Sequence, residues 1–194
     1  MKYRFPSAIA MALVLSIASS SLAAGLKIGD AAPDFSVTGV DGKEHNLKSN
    51  NGAKVTVVCF TCNFCPVAAA YEDRFIDFAK KYKKKGVNFI AINVNPETLD
   101  DMRQRAKEKG FTFAYCKDES GESARAYGAR VTPHLFVLNK KRKLSYIGAF
   151  DDNIDESKAK KRYLADAVDA LLAGRKVKTA STRLVGCAIN LRRR

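Results

Sequence analysis

The residues of this sequence that could do chemistry are three cysteines set three apart, Cys59, Cys62 and Cys65, with Pro66 directly after them. Cys62-Asn63-Phe64-Cys65 is a Cys-x-x-Cys pair. It sits where an apolar, β-branched run (54–60) hands over to a helical pattern beginning at Val67. Thiolate is the reactive form of cysteine, and a helix N-terminus favours it through unpaired N–H groups and the positive end of its dipole. That placement points to thiol–disulfide exchange, in which one thiolate attacks a disulfide and the second releases the product. Cys62 is the expected nucleophile and Cys65 the expected resolving thiol. A permanent structural disulfide would be an odd use of so short a loop at a helix start. Cys116 and Cys187 stand alone in the sequence, so the five cysteines do not form the framework of a stapled scaffold.

The cysteine spacing also invites a metal. Iron–sulfur binding at such spacing needs a fourth cysteine nearby, and zinc wants four ligands. Neither set is at hand, so no metal and no cofactor is expected. Soft thiolates suit Cu(I), which leaves copper as a rival to redox chemistry. Cys59 belongs to the strand and reads as buried, with an auxiliary role as the other option. Cys116, on a predicted strand, reads as core. Cys187, in Gly186-Cys187-Ala188-Ile189, either folds back as a third redox cysteine or is buried and inert; inert is the expectation.

The elements that must hold these residues follow from periodicity. Phe35, Val37 and Val40 with the Asp41-Gly42 turn predict an N-terminal hairpin, and Asn50-Asn51-Gly52 a loop. The nearly all-apolar run 54–60 predicts a central strand covered on both faces. Val67, Tyr71, Phe75, Phe78 and Tyr82 form one stripe of a helix over 67–85, with Glu72, Asp73, Asp77 and the lysines on its other face and Gly86 as its stop. A strand at 87–94 completes a β-α-β unit with parallel strands. After the Asn95-Pro96 turn come a helix with Leu99, Met102 and Ala106 inward and Gly110 as its stop, a strand at 111–116, and a short helix at 119–127 closed by Gly128. Val131-Thr132-Pro133-His134 opens a strand pair, 135–138 with 144–148, and a final helix over 157–172 buries Leu164, Ala167, Val168, Leu171 and Leu172. This is one α/β domain over 25–174, with a basic C-terminal extension, 175–194, that carries Cys187.

Lys2 and Arg4, an apolar run at 8–18 and an Ala-rich end predict a signal peptide over 1–24, cut near Ala23 or Ala24. Its apolar run is well short of the roughly 20 residues a spanning helix needs. The protein is therefore expected to be periplasmic or secreted. The formal charge is +14, and from Glu156 onward eleven basic residues face three acidic ones. A solvated basic surface with a frayed tail is the ordinary reading. Contact with an anionic membrane surface is the other. An exported protein rarely meets nucleic acid, so no nucleic acid partner is expected.

Strand, Cys62-Asn-Phe-Cys65-Pro66, helix, and a distant Thr132-Pro133 opening a β-hairpin before a terminal helix: this pattern resembles the thioredoxin-like superfamily. Gly29-Asp-Ala-Ala-Pro-Asp-Phe35 and the extra helix and strand at 96–116 resemble its redoxin branch. That branch holds alkyl hydroperoxide reductase/thiol-specific antioxidant (peroxiredoxin) proteins and exported thiol–disulfide oxidoreductases. The resemblance covers about 26–174. It implies a central mixed sheet flanked by helices, with an N-terminal hairpin and a redoxin-type insertion. It also implies that Cys62 is the exposed nucleophile, Cys65 the resolving thiol, and Pro133 a cis-proline packed beside them. Thr132 would offer backbone hydrogen bonds to a bound chain. His134 would then lie near the thiols, either as a protonated imidazole that lowers a thiol pKa or as a residue lining the substrate groove. His45, in the early hairpin, suggests nothing.

Three departures shape the expected function. Thr61 stands where thioredoxins commonly carry Trp, and Thr56 where thioredoxin has a buried acid. The peroxiredoxin motif Pro-x-x-x-Thr-x-x-Cys is missing, since Thr61 precedes Cys65 by four and the upstream Pro is absent. Copper chaperones of this fold use Cys-x-x-x-Cys-Pro, one residue longer than the spacing here. The expected function is an exported thiol–disulfide oxidoreductase acting on protein thiols or disulfides, recharged by an extracytoplasmic electron donor or acceptor. A thiol-dependent peroxidase is the alternative, and a Cu(I) chaperone a weaker one.

Overall fold

The structure, a computed structural model, describes residues 25–48 and 52–191. The expected signal peptide at 1–24, Asn50 and Asn51 of the expected loop, and the terminal Arg192-Arg193-Arg194 lie outside the described residues. In chain order the elements are β1 (Val37–Gly39), β2 (Glu44–His45), β3 (Val55–Phe60), α1 (Pro66–Lys83), β4 (Val87–Asn93), α2 (Leu99–Lys109), β5 (Ala114–Lys117), α3 (Glu122–Tyr127), β6 (Val131–Thr132), β7 (His134–Asn139), β8 (Leu144–Gly148), α4 (Tyr163–Leu172) and β9 (Cys187–Ala188).

Every residue of β3 is buried, the condition for a strand with both sheet faces covered. It pairs in parallel with β4 and antiparallel with β7. The main sheet runs β2-β1-β5-β4-β3-β7-β8 and is mixed, as a thioredoxin-like fold requires. Because side chains alternate along a strand, β3 divides its residues between two cores. Val55, Val57 and Cys59 pack with Tyr71, Phe75, Phe78 and Tyr82 of α1 and with Leu164 and Val168 of α4. Val58 and Phe60 pack with Phe35, Tyr127 and Phe136 on the opposite face. The aromatic stripe of α1 thus faces the sheet as its spacing predicts.

Three expectations give way to contacts that the helical period does not record. Glu72, assigned to the polar face of α1, is 4% exposed. α2 lies over it, and Arg105 donates to both its carboxylate oxygens at 2.9 and 2.7 Å. The last helix begins at Tyr163, not at 157. Residues Glu156–Lys158 form a 3-10 turn capped by the Asp155 side chain, and Asp152 Oδ1 takes the amides of Lys160 and Lys161 (2.8 and 2.9 Å), holding that stretch off the helical path. The described part of the extension, 175–191, runs back over the domain. Ile147 N donates to Ala180 O, and Thr182 N to Ile147 O. Thr182 Oγ1 accepts the Ala149 amide at 2.9 Å. Further on, β9 pairs antiparallel with β6. No helix among the described residues is long and apolar enough to cross a membrane.

Candidate functional site

Three chain segments meet at the C-terminal end of β3. The first is the Cys-x-x-Cys turn. Cys65 is the N-cap of α1, with extended backbone, and its Sγ accepts the Ala68 amide at 3.4 Å, while Pro66 occupies the first helical turn. Pro fits there because its missing N–H is one the helix leaves unpaired anyway. The Cys-Pro sequence is thus the helix start itself, and the helix's positive end falls on the Cys65 sulfur. The second segment is β6, which runs into a cis Thr132–Pro133 peptide bond. Cys62 Sγ lies 3.3 Å from Thr132 Oγ1. Cys65 Sγ lies 3.1 Å from Thr132 O, a position from which a reduced thiol would donate to that carbonyl.

The third segment is β9. Pairing of Thr132 with Cys187 brings Cys187 to a Cα–Cα distance of 5.9 Å from Cys65, and the two form a disulfide, within ordinary disulfide reach. Cys187 is thus half-buried and bonded at the site, where the expectation was a residue buried on its own. Cys62 remains a free thiol and is only 3% exposed, not the exposed sulfur that the resemblance implies. Cys62, Cys65 and Ala68 form one small cluster, with Val67 and Cys187 packed on it.

Glu97, which sequence reasoning missed, holds the turn from the other side. It is 2% exposed, and its Oε1 accepts the amides of Asn63 (3.0 Å) and Phe64 (3.1 Å). Its Oε2 is buried without a hydrogen-bond partner among the described residues. The signal available was position: Glu97 follows β4, parallel neighbour of β3, and ligand and catalytic groups of α/β sheets gather at the carboxyl ends of such strands. Asn63 is fixed by the Tyr115 hydroxyl, which donates to its Oδ1 at 2.7 Å. Phe64, at the turn's apex, is 75% exposed.

Burial raises the Cys62 pKa, and the Glu97 charge raises it further. Hydrogen bonds from Thr132, the Cys65 backbone and Asn95 pull it down without cancelling the rise. In this closed arrangement Cys62 is a thiol. Burial drives the Cys59 thiol far up and, with the Asp41 charge, pushes Cys116 up to about 12. Both are packed inside the cores, which leaves Cys59 no exchange partner at the site. His134 is 1% exposed, with its ring against Phe136 at 4.4 Å and its Nδ1 accepting the Arg130 amide at 3.4 Å. Burial, then the Arg130 charge, lowers its pKa to about 4. At neutral pH it is uncharged and supplies no positive charge to a thiol. Among the described residues no group of three or more His, Cys, Asp or Glu side chains could hold a metal ion.

Comparison with known proteins places this geometry. A hypothetical protein from Sinorhizobium meliloti of known structure superposes with a TM-score of 0.80 at 33% identity, covering 85% of this chain and 94% of that one. An uncharacterized conserved protein from Geobacillus kaustophilus gives 0.81 at 32%, covering 86% and 93%. The thiol-disulfide oxidoreductase ResA of Geobacillus thermodenitrificans is 28% identical over 120 residues, which are 62% of this chain and 68% of that protein, so the match spans about two thirds of its length. The pattern of the AhpC/TSA family matches residues 28–147, the stretch that carries β3, the cysteine turn, Glu97 and the Thr132–Pro133 bond, and the chain belongs to that family.

Proposed function

We propose that this protein is an exported thiol–disulfide oxidoreductase in which Cys62 attacks and Cys65 resolves. The observation that carries the reading is the convergence of Cys62 Sγ on Thr132 of the cis-proline loop with Cys65 capping α1. Cys62 as thiolate attacks a client disulfide. One client sulfur leaves and a mixed disulfide forms. Cys65, whose thiolate is favoured by the Ala68 amide and the helix dipole, then attacks Cys62 Sγ and releases the second client thiol. The name of the ResA relative describes the same chemistry. Run in reverse with an oxidised site, the steps oxidise a client dithiol.

Clients are protein thiols or disulfides, met outside the cytoplasm after cleavage of the leader near Ala23 or Ala24. An extracytoplasmic electron donor or acceptor recharges the site. Thr132 and the Pro133 loop border the groove that receives the client chain, with His134 a buried wall behind it. The basic residues past Glu156 meet anionic membrane surfaces. The test is insulin reduction by dithiothreitol. Cys62→Ser is expected to lose the catalysed rate, and Cys65→Ser to stall as mixed disulfides. If both variants reduce insulin at the wild-type rate, the assignment is wrong.

A further inference from the structure

We infer that Cys187 is a third redox cysteine of this site: the disulfide passes from Cys62–Cys65 to Cys65–Cys187, and in the second state β9 lies on the β6 edge that a client chain would otherwise occupy. The inference rests on the exchange proposed for Cys62 and Cys65. Four observations carry it.

Cys65 is bonded to Cys187 while Cys62, packed in the same cluster, is a free thiol. All three sulfurs therefore belong to one exchange centre. The segment is also seated by design of its backbone. A Cβ built on Gly186 would fall 2.3 Å from Thr132 O and 2.8 Å from Thr132 C, so only glycine lets the chain run this close to the cis-proline loop. Next, β9 satisfies β6: Val131 pairs with Ala188 and Thr132 with Cys187, and Ile189 N donates to Arg130 O at 2.9 Å. Among the described residues β6 pairs with no other strand. Lifting β9 exposes a strand edge directly beside Cys62, and such edges accept extended peptides by strand addition. Finally, the strap is rooted one short stretch away. Thr182 is held by Ile147, Ala149 and the Tyr146 hydroxyl, and only residues 183–186 separate that anchor from Cys187. A thiol tethered that closely meets its target at high effective concentration.

The chemistry balances without an added reagent. After a client disulfide has been reduced, the site holds Cys62–Cys65. Cys187 thiolate attacks Cys65 Sγ, the Cys62–Cys65 bond breaks, and Cys62 leaves as thiolate and takes a proton from water. The Cys65–Cys187 bond forms, with no net oxidation. A dithiol donor that attacks Cys187, the least buried of the three, expels Cys65 as thiolate. The donor's second thiol then reduces the mixed disulfide, and the strap is free.

The experiment is peptide mapping of the oxidised full chain after alkylation of free thiols, on wild type, Cys187→Ser and Gly186→Ala. Wild type is expected to give a linked Cys65/Cys187 peptide with Cys62 alkylated. Cys187→Ser is expected to give a Cys62–Cys65 link. Gly186→Ala keeps every cysteine and is expected to shift the wild-type population from Cys65–Cys187 toward Cys62–Cys65. Amide exchange at Ile189 is expected to lose protection on reduction of the wild type. A wild type that carries only Cys62–Cys65 with Cys187 alkylated overturns the inference. So does Ile189 protection that is the same in both redox states. The parent reading fails separately, through Cys62→Ser activity in the insulin assay, which does not depend on where the resting disulfide lies.

Discussion

His134 gives the sharpest quantitative handle on the site, because it follows the cis Thr132–Pro133 bond and is sealed against Phe136. The unfolded chain carries it with a pKa near 6.5, the folded chain near 4. Between those values the unfolded state binds a proton that the folded state refuses. The stability contribution is therefore complete above pH 6.5, falls as pH drops through that window, and is gone once pH is below the folded value of about 4. A difference of about 2.5 pKa units corresponds to about 3 kcal/mol. Carboxylates act in a more acid range. Burial pushes Asp118 up, but hydrogen bonds from Ser120, Ser123 and Gly121 more than offset it and hold it below its usual value. Its contribution is present above the unfolded Asp pKa and disappears only as pH falls through that lowered value. The assay is urea unfolding at steps from pH 7.5 to 4 on wild type and His134→Phe, which keeps an aromatic ring against Phe136. Wild type is expected to lose about 3 kcal/mol more than the variant over that range. Parallel curves, or the His134 imidazole itself titrating near 6.5 by NMR, would refute the reasoning.

Other consequences are as direct. Glu97→Gln keeps an oxygen to accept the Asn63 and Phe64 amides but removes a charge that raises the Cys62 pKa. Iodoacetamide should then react faster with Cys62 in the reduced variant at neutral pH, and an unchanged or slower rate contradicts this. Asp151 and Arg74 form an ion pair buried on both sides, with Tyr71 donating to the same carboxylate at 2.8 Å. Asp151→Ala leaves the buried guanidinium its backbone carbonyl partners on Ala70, Asn153 and Ile154 but no counter-charge, and is expected to cost about 3–5 kcal/mol in urea unfolding. A cost below about 1 kcal/mol would mean the site relaxes or hydrates.

What the sequence reveals about this molecule is what local pattern encodes. The β-branched run of β3 and the four-and-three spacing of Tyr71, Phe75, Phe78 and Tyr82 survive into the fold because each reports a face that one element buries. The Cys65-Pro66 helix start is equally local. Glu72 is different: its burial depends on α2 arriving from 33 residues away in sequence, which the period of α1 does not record. Glu97 carries no local pattern for a similar reason: its position after β4 is a signal only once the parallel register that sets Phe60 beside Ile92 is known. β9 is two residues long, too short for any period, and its seat is marked only by Gly186. Cys187 thus looks solitary in the chain and is bonded in the fold.

The measurement that bears most directly on the account is trapping. Cys65→Ser, reacted with a disulfide-bonded client peptide and digested without reductant, should yield one dominant cross-linked product joining the client cysteine to Cys62. A client attached instead to Cys187, or no adduct with Cys62 intact as a free thiol, would contradict the claim that Cys62 is the attacking sulfur.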